Sequence, residues 1–401
     1  MDKEKKSKRA GINWLGIVLY MILGGLAAIL NMRLIFKYMH LPVWARMLLF
    51  FLLLLLVYVA MFLQIVIHES GHLVFGLATG YRFSSFRIHN WMWILEDGKL
   101  RLTRLSIPGT GGQCLMAPPD LKDGKIPVLL YNFGGAIMNL LTAAVFFLLA
   151  LPLAPTSVLK LFLQQLALFG VGIGLMNGIP LHIAPVENDG CNAMTLMRNK
   201  KAIPAFWLQM KVNELVANGT RLRDMPEEWF TVPEDEEMNS GIMAAVGVLA
   251  SSRLMDQHRF AVADALMGHL LSIKSGMTDL HRSLMTCDRI YLELIGQNRK
   301  EVLDAMLTDE QKELMKAMTE TPSVLRTEFA YALLAECDAE KAEKIEKKFE
   351  KCALTYPYPS EIPGERELMQ IAREHVIETD EESELPEAAG ESQAEENEES
   401  E

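Results

Sequence analysis

From Met47 to Ile67 the chain runs 21 residues without a charge, and the next five are His68-Glu69-Ser70-Gly71-His72. A helix of that length crosses a hydrocarbon layer of about 30 Å. A helix that is apolar all round needs either a protein core or lipid on every side. Three more uncharged stretches are long enough to do the same: Ala10 to Met32, Ile126 to Ala154 and Leu161 to Ile183. Nothing comparable recurs after Glu187, where charged residues dominate. These lengths predict an α-helical polytopic membrane protein of about four spans over residues 1–195. A soluble, all-α region over 196–376 is predicted to follow.

The His-Glu-x-x-His element is the chemical feature of the first half. Residues four apart share one face of a helix, so His68 and His72 can hold one metal ion together. Glu69, one residue round the helix, is positioned to take a proton from the attacking water. Ionisable residues at membrane depth are costly and are functional by default. The preceding helix has no polar face, which argues against two ordinary surface histidines.

Charge narrows the partners. The net charge is −12, but residues 378–401 hold twelve Asp/Glu and no Lys/Arg, so −12 minus −12 leaves the rest formally neutral. The balance gives no support for nucleic acid as a partner. Residues 377–401 read as a disordered acidic tail, too poor in apolar groups to fold alone. Five cysteines (Cys114, Cys191, Cys287, Cys337, Cys352) have no metal-ligand spacing, and reduced thiols facing the cytosol are expected.

The first stretch follows Lys3, Lys5, Lys6, Lys8 and Arg9 and is too long for a typical cleaved signal sequence. It is read as a retained span starting in the cytosol, with both termini cytosolic, as the positive-inside rule favours. Arg33, Lys37 and Arg46 then fall on the outer side, against that rule.

Between the second and third spans, Phe83 to Ile88 and Leu100 to Leu105 alternate with short period, and Glu96-Asp97-Gly98-Lys99 supplies a turn. A short β-hairpin is predicted. Trp91 and Trp93 fit an interfacial position or hairpin packing equally. The third span carries Asn132-Phe133-Gly134-Gly135 and Asn139, small residues for close helix approach and an amide for bonding across helices. In the fourth, Asn177-Gly178 and Pro180 break the helix near membrane depth, just before Glu187-Asn188-Asp189-Gly190. Irregular backbone there is tolerated where it lines a cavity. A further ligand near such a break is what a site with two histidines lacks: the carboxylate of Asp189 stands there, with Glu187 and His182 as the alternatives.

The second half reads as helices throughout, for example Ala261 to Ile273, Ser283 to Ile295 and Pro322 to Ala335. Its spacing suggests helix pairs of tetratricopeptide type, without a clean 34-residue period. Asp224 to Phe230 reads as a turn and linker into this region.

Taken together, His68-Glu69-Ser70-Gly71-His72, Gly135 with Asn139, Asn177-x-x-Pro180 and Asp189-Gly190 resemble the site-2 protease family of intramembrane zinc metallopeptidases. Gly111-Gly112-Gln113-Cys114-Leu115-Met116 looks like that family's glycine pair. The resemblance covers about residues 45–195. It implies one zinc ion per chain on His68, His72 and Asp189, with Glu69 as base and Asn139 assisting substrate or oxyanion positioning. Eight residues, Leu181 to Asn188, stand where the family usually has about four, and Asn188 replaces its common Leu.

The implied function is hydrolysis of a peptide bond within or beside a transmembrane segment of a membrane-anchored protein or peptide. The setting would be a bacterial cytoplasmic membrane, with a regulatory protein bound to the helical region. Such a substrate would carry Gly, Pro or Asn near the cut and align against the strand around Phe86. The competing expectation is a catalytically inert, membrane-anchored scaffold acting through its helical region.

Overall fold

The computed structural model describes residues 14–96, 98–107, 110–181 and 187–384. His182, the basic residues before Trp14 and the last 17 residues of the acidic tail lie outside these. Four helices are long and apolar enough to cross a membrane: α1 (Trp14–Lys37), α2 (Val43–Ala78), α3 (Leu129–Ala150) and α4 (Val158–Gly178). Their outer faces carry large apolar side chains such as Phe51, Leu55, Leu148 and Leu159, all exposed.

Small residues and amides hold the four together. Gly71 on α2 meets Gly134 on α3 so closely that a Cβ on Gly71 would lie 2.3 Å from the Gly134 carbonyl oxygen. Backbones approach this way where side chains are absent, which is how helices associate without a hydrophobic driving force between them. Gln64 Nε2 donates to the Leu166 carbonyl across α2 and α4 at 2.8 Å, and Gln165 Nε2 donates to Asn31 Oδ1 across α4 and α1 at 2.9 Å.

Between α2 and α3 the chain forms a four-stranded antiparallel sheet rather than a single hairpin. The strands are β1 (Arg82–Ile88), β2 (Trp91–Glu96), β3 (Lys99–Arg104) and β4 (Gly112–Ala117), in the order β3-β2-β1-β4. The turn at 96–99 joins β2 to β3, Glu96 pairs with Lys99, and Gly98 takes the left-handed φ of 74° that a tight hairpin turn requires. The two segments read as a hairpin from sequence do not pair with each other, because Trp91 to Glu96 lies between them as a strand. β1 is bonded on both sides, Phe86 to Trp93 and to Cys114. The strand around Phe86 therefore cannot accept an added strand, and the free edges belong to β3 and β4.

One face of the sheet is buried. Met92 and Ile94 pack with Ala217 and Tyr358, and Thr103 donates to the Thr355 carbonyl. On the other face Trp91 and Trp93 are exposed, and Arg104 lies 4.4 Å over the Trp91 ring. At the β1–β2 turn His89 stacks on Phe62 of α2, ring centroids 6.0 Å apart. The tip of the sheet thus lies alongside an apolar span.

After α4 come α5 (Asp189–Arg198), α6 (Ala202–Ala217), α7 (Gly241–Asp256) and α8 (Phe260–Ser272). One compact unit holds the spans and sheet, runs on to Arg282 and takes in Thr355–Ser360. One core of this unit joins Tyr81, Met116 and Tyr131 to Ile203, Phe206, Ile242 and Val246. Met225 and Phe230 are buried in that core, so Asp224 to Phe230 is packed structure and not a linker. The sequence cue for a linker, an acidic stretch around Pro226, is here two short 3-10 turns that point Met225 and Phe230 inward.

A second unit spans Ser283–Leu354 and resumes at Glu361. It contains most of α9 (Asp279–Leu294), then α10 (Lys300–Met306), α11 (Asp309–Ala317), α12 (Pro322–Ala330), a π-helical turn at Tyr331–Ala335, α13 (Ala339–Ala353) and α14 (Glu361–Glu384). Arg326, 1 % exposed, bonds Asp288 and Glu365 and lies 4.4 Å over the Tyr291 ring. Helix lengths in this unit run from 7 residues in α10 to 24 in α14. α14 carries the chain in helical form to Glu384, so residues 377–384 are not part of a disordered tail.

Candidate metal centre

Gln64, His68 and His72 sit one turn apart on the inner face of α2, and all three are buried. Each imidazole is fixed at its Nδ1. His68 Nδ1 lies 2.7 Å from Asn139 Oδ1, and His72 Nδ1 lies 2.8 Å from the backbone carbonyl oxygen of Tyr131. Because an acceptor faces each Nδ1, both rings carry their proton there and turn Nε2 inward as a lone-pair donor. Asn139 is ten residues into α3, about 15 Å from its start, so the pair lies well inside the bundle.

The third member of the cluster comes from the break after α4. Asp189 Oδ2 is 3.0 Å from His68 Nε2 and 3.3 Å from His72 Nε2, and the two Nε2 atoms are 3.3 Å apart. Among the described residues this triad is the one cluster whose ligand atoms, all within 4.8 Å of one another, could hold a metal ion. Two neutral imidazoles and a carboxylate are a donor set suited to a divalent cation with an open position.

Asn188 accounts for how Asp189 arrives there. Its Nδ2 donates to the Met176 and Ile179 carbonyls, both at 2.7 Å, and its Oδ1 accepts from Cys191 N–H at 2.9 Å. It caps α5 at one end and ties it to the last turn of α4 at the other. A Cβ on Gly190 would lie 2.6 Å from the Gly178 carbonyl oxygen, so only glycine lets α5 dock so closely. Glu187 points elsewhere, toward the N-terminus of α7, where a Cβ on Gly241 would lie 3.2 Å from its Oε2. Asn177 spends its amide on the Ile173 carbonyl of its own helix.

Glu69 is 8 % exposed and lies against β4: a Cβ on Gly112 would be 2.7 Å from Glu69 Oε1. No described residue hydrogen-bonds to its carboxylate, which leaves it free to accept a proton from water. Gly135 likewise makes room for His68, since a Cβ there would lie 2.6 Å from His68 Nε2.

Asn139 is fully engaged with protein groups. Its Nδ2 donates to Gln64 Oε1 at 2.7 Å and to the Gln64 carbonyl at 2.9 Å, while Oδ1 faces His68. It therefore positions His68, whereas the resemblance implied an amide facing substrate or oxyanion. Gln64 itself escaped the sequence reading, although an amide one turn before His68 in an apolar helix was a visible signal.

Arg87 was also missed, because strand alternation assigns it only a face. It is 1 % exposed, and its guanidinium donates to the His89 carbonyl at 2.5 Å and Thr110 Oγ1 at 2.6 Å. Burial lowers its pKa from the usual value, and the nearby Glu69 charge offsets part of that.

Comparison with family models, curated proteins and solved structures returns no match to this chain.

Proposed function

We propose that the chain is an intramembrane zinc metalloprotease of site-2 protease type, cutting a peptide bond within or beside a transmembrane segment. One observation carries the reading: two imidazoles locked at Nδ1 direct Nε2 onto Asp189 beside an unengaged glutamate, on helices apolar enough to span a bilayer. Zinc held by His68, His72 and Asp189 would supply a Lewis acid for the scissile carbonyl and bring the pKa of water toward about 7. Glu69 would take the proton from that water and hand it to the leaving amine. Asn139 and the Tyr131 carbonyl would keep both imidazoles in the ligating tautomer.

A substrate in helical form hides its carbonyls, so it must unwind before attack. The edge of β4 supports an extended substrate, because Gly112 brings that strand against Glu69. Strand addition there would lay the substrate beside the base. The substrate would be a membrane-anchored protein or peptide carrying Gly, Pro or Asn near the cut.

The test is Glu69→Gln in membranes. The variant should keep its zinc while losing at least about a hundredfold in turnover, and should trap single-span proteins. A variant with an undiminished cellular phenotype, recovering only soluble partners, would establish the inert scaffold instead.

A further inference from the structure

We infer that the bundle holds one anionic phospholipid, its acyl chain in a cavity between α1, α2 and α4 and its phosphate on Arg46 at the mouth. The inference rests on the four helices crossing a bilayer and not on the metal chemistry. The cavity measures about 390 Å³ and is lined chiefly by apolar groups, among them Leu23, Ala28, Phe50, Leu53 and Met61. Gly24 also lines it, and a Cβ added there would meet nothing within 4 Å. A helix with its side chains is about 10–12 Å across and does not fit such a space. A single hydrocarbon chain does.

Charge decides the headgroup. Between Trp14 and His68, and between Leu129 and Leu181, the sequence has no Asp or Glu. Arg33, Lys37, Arg46 and Lys160 nevertheless cluster at one end of the bundle, where Lys37 Nζ donates to Thr156 Oγ1. None of the four forms an ion pair among the described residues; Lys160 Nζ bonds only the Leu153 carbonyl. Arg46 lies one turn before Phe50, and Phe50, Leu54, Val57 and Met61 continue that face along the cavity. Its Nε is buried without a partner, and its Nη1 touches only Met39 Sδ at 3.9 Å. Further in, Asn31 also lines the cavity, with its Oδ1 accepting from Gln165. Cations at an acid-free end of the bundle have no carboxylate to pair with, and a lipid phosphate supplies the missing anion.

The cavity is joined to the candidate metal centre through one residue. Met176 lines the inner part of the cavity, and its carbonyl holds Asn188 beside Asp189.

Photo-crosslinking tests this. The full chain is reconstituted in phosphatidylcholine vesicles with trace phosphatidylglycerol carrying a diazirine near the end of one acyl chain. A parallel sample receives phosphatidylcholine with the same chain. The phosphatidylglycerol probe should label residues 50–61 about fivefold more than the phosphatidylcholine probe, the discrimination one surface cation supplies. Leu148 and Leu149, exposed on α3, should label equally with both. Arg46→Gln should bring cavity labelling down to the phosphatidylcholine level. Ala28→Phe should remove it while sparing α3, with an unchanged melting profile reporting an intact bundle. Equal cavity labelling by both probes, or an Arg46→Gln variant that labels like the parent chain, would overturn the inference.

Discussion

His68 and Asn139 meet through an Nδ1 to Oδ1 contact of 2.7 Å between α2 and α3, and the contact is one link of a longer chain. Asn139 donates to Gln64, and Gln64 donates to the Leu166 carbonyl on α4. One run of hydrogen bonds thus ties the ligand to three helices. The orientation of the Asn139 amide follows from Gln64, and that of the imidazole follows from Asn139.

Removing that link should weaken the metal site before it weakens the fold. Asn139→Ala is expected to lower zinc affinity about 10–100-fold, the usual cost of losing such a partner. Asn139→Asp should keep most of it, since a carboxylate still accepts from His68 Nδ1. Chelator competition on the purified protein measures both, and equal loss in the two variants would contradict the positioning role.

Asn188 should matter more than an ordinary helix cap. Asn188→Ala removes the cap and both ties to α4, costing about 1–2 kcal/mol from the cap alone. Zinc affinity should fall with it, because Asp189 loses its register against the imidazoles. A thermal melt and the same chelator titration report the two effects, and a shift in the first without the second would refute the coupling.

Gly71→Ala places a methyl group against backbone, which cannot move aside as a side chain can. Overpacking of this kind costs about 1–3 kcal/mol. Because the clash lies one residue before His72, metal content should drop as well. An alanine variant with parental melting temperature and full metal would show that α2 and α3 have more room than their geometry gives them.

Glu214 offers a pH-dependent test remote from the metal. Burial alone would raise its pKa, but hydrogen bonds from Lys211 and Arg82, and their charges, hold it below the ordinary glutamate value. A depressed folded-state pKa stabilises the protein above the unfolded value of about 4.3, and that contribution fades as the pH falls through the folded value. Glu214→Gln should therefore be less stable than the parent chain at pH 7, and the gap should close on acidification below about pH 4. Denaturation across that range checks it, and a gap that widened in acid would reverse the sign.

Much of this protein was legible from residue order alone. Apolar length marked out four helices long enough to span a bilayer, because a lipid layer demands about twenty uncharged residues from each helix regardless of neighbours. Helical spacing put His68 and His72 on one face, and that too is local geometry. The turn at Gly98 followed from the left-handed backbone that glycine there adopts.

Tertiary structure decided what depends on partners distant in sequence. Which strand lies beside β1 is a matter of pairing, so the sequence reading missed that Trp91 to Glu96 separates the two segments taken for a hairpin. The choice of Asp189 over Glu187 rests on Asn188 gripping α4, a contact that residue order does not encode. Asn139 looked like a group for substrate, yet its bonds run to Gln64 and His68. An amide's role is set by what surrounds it, and only the packed helices supply those surroundings.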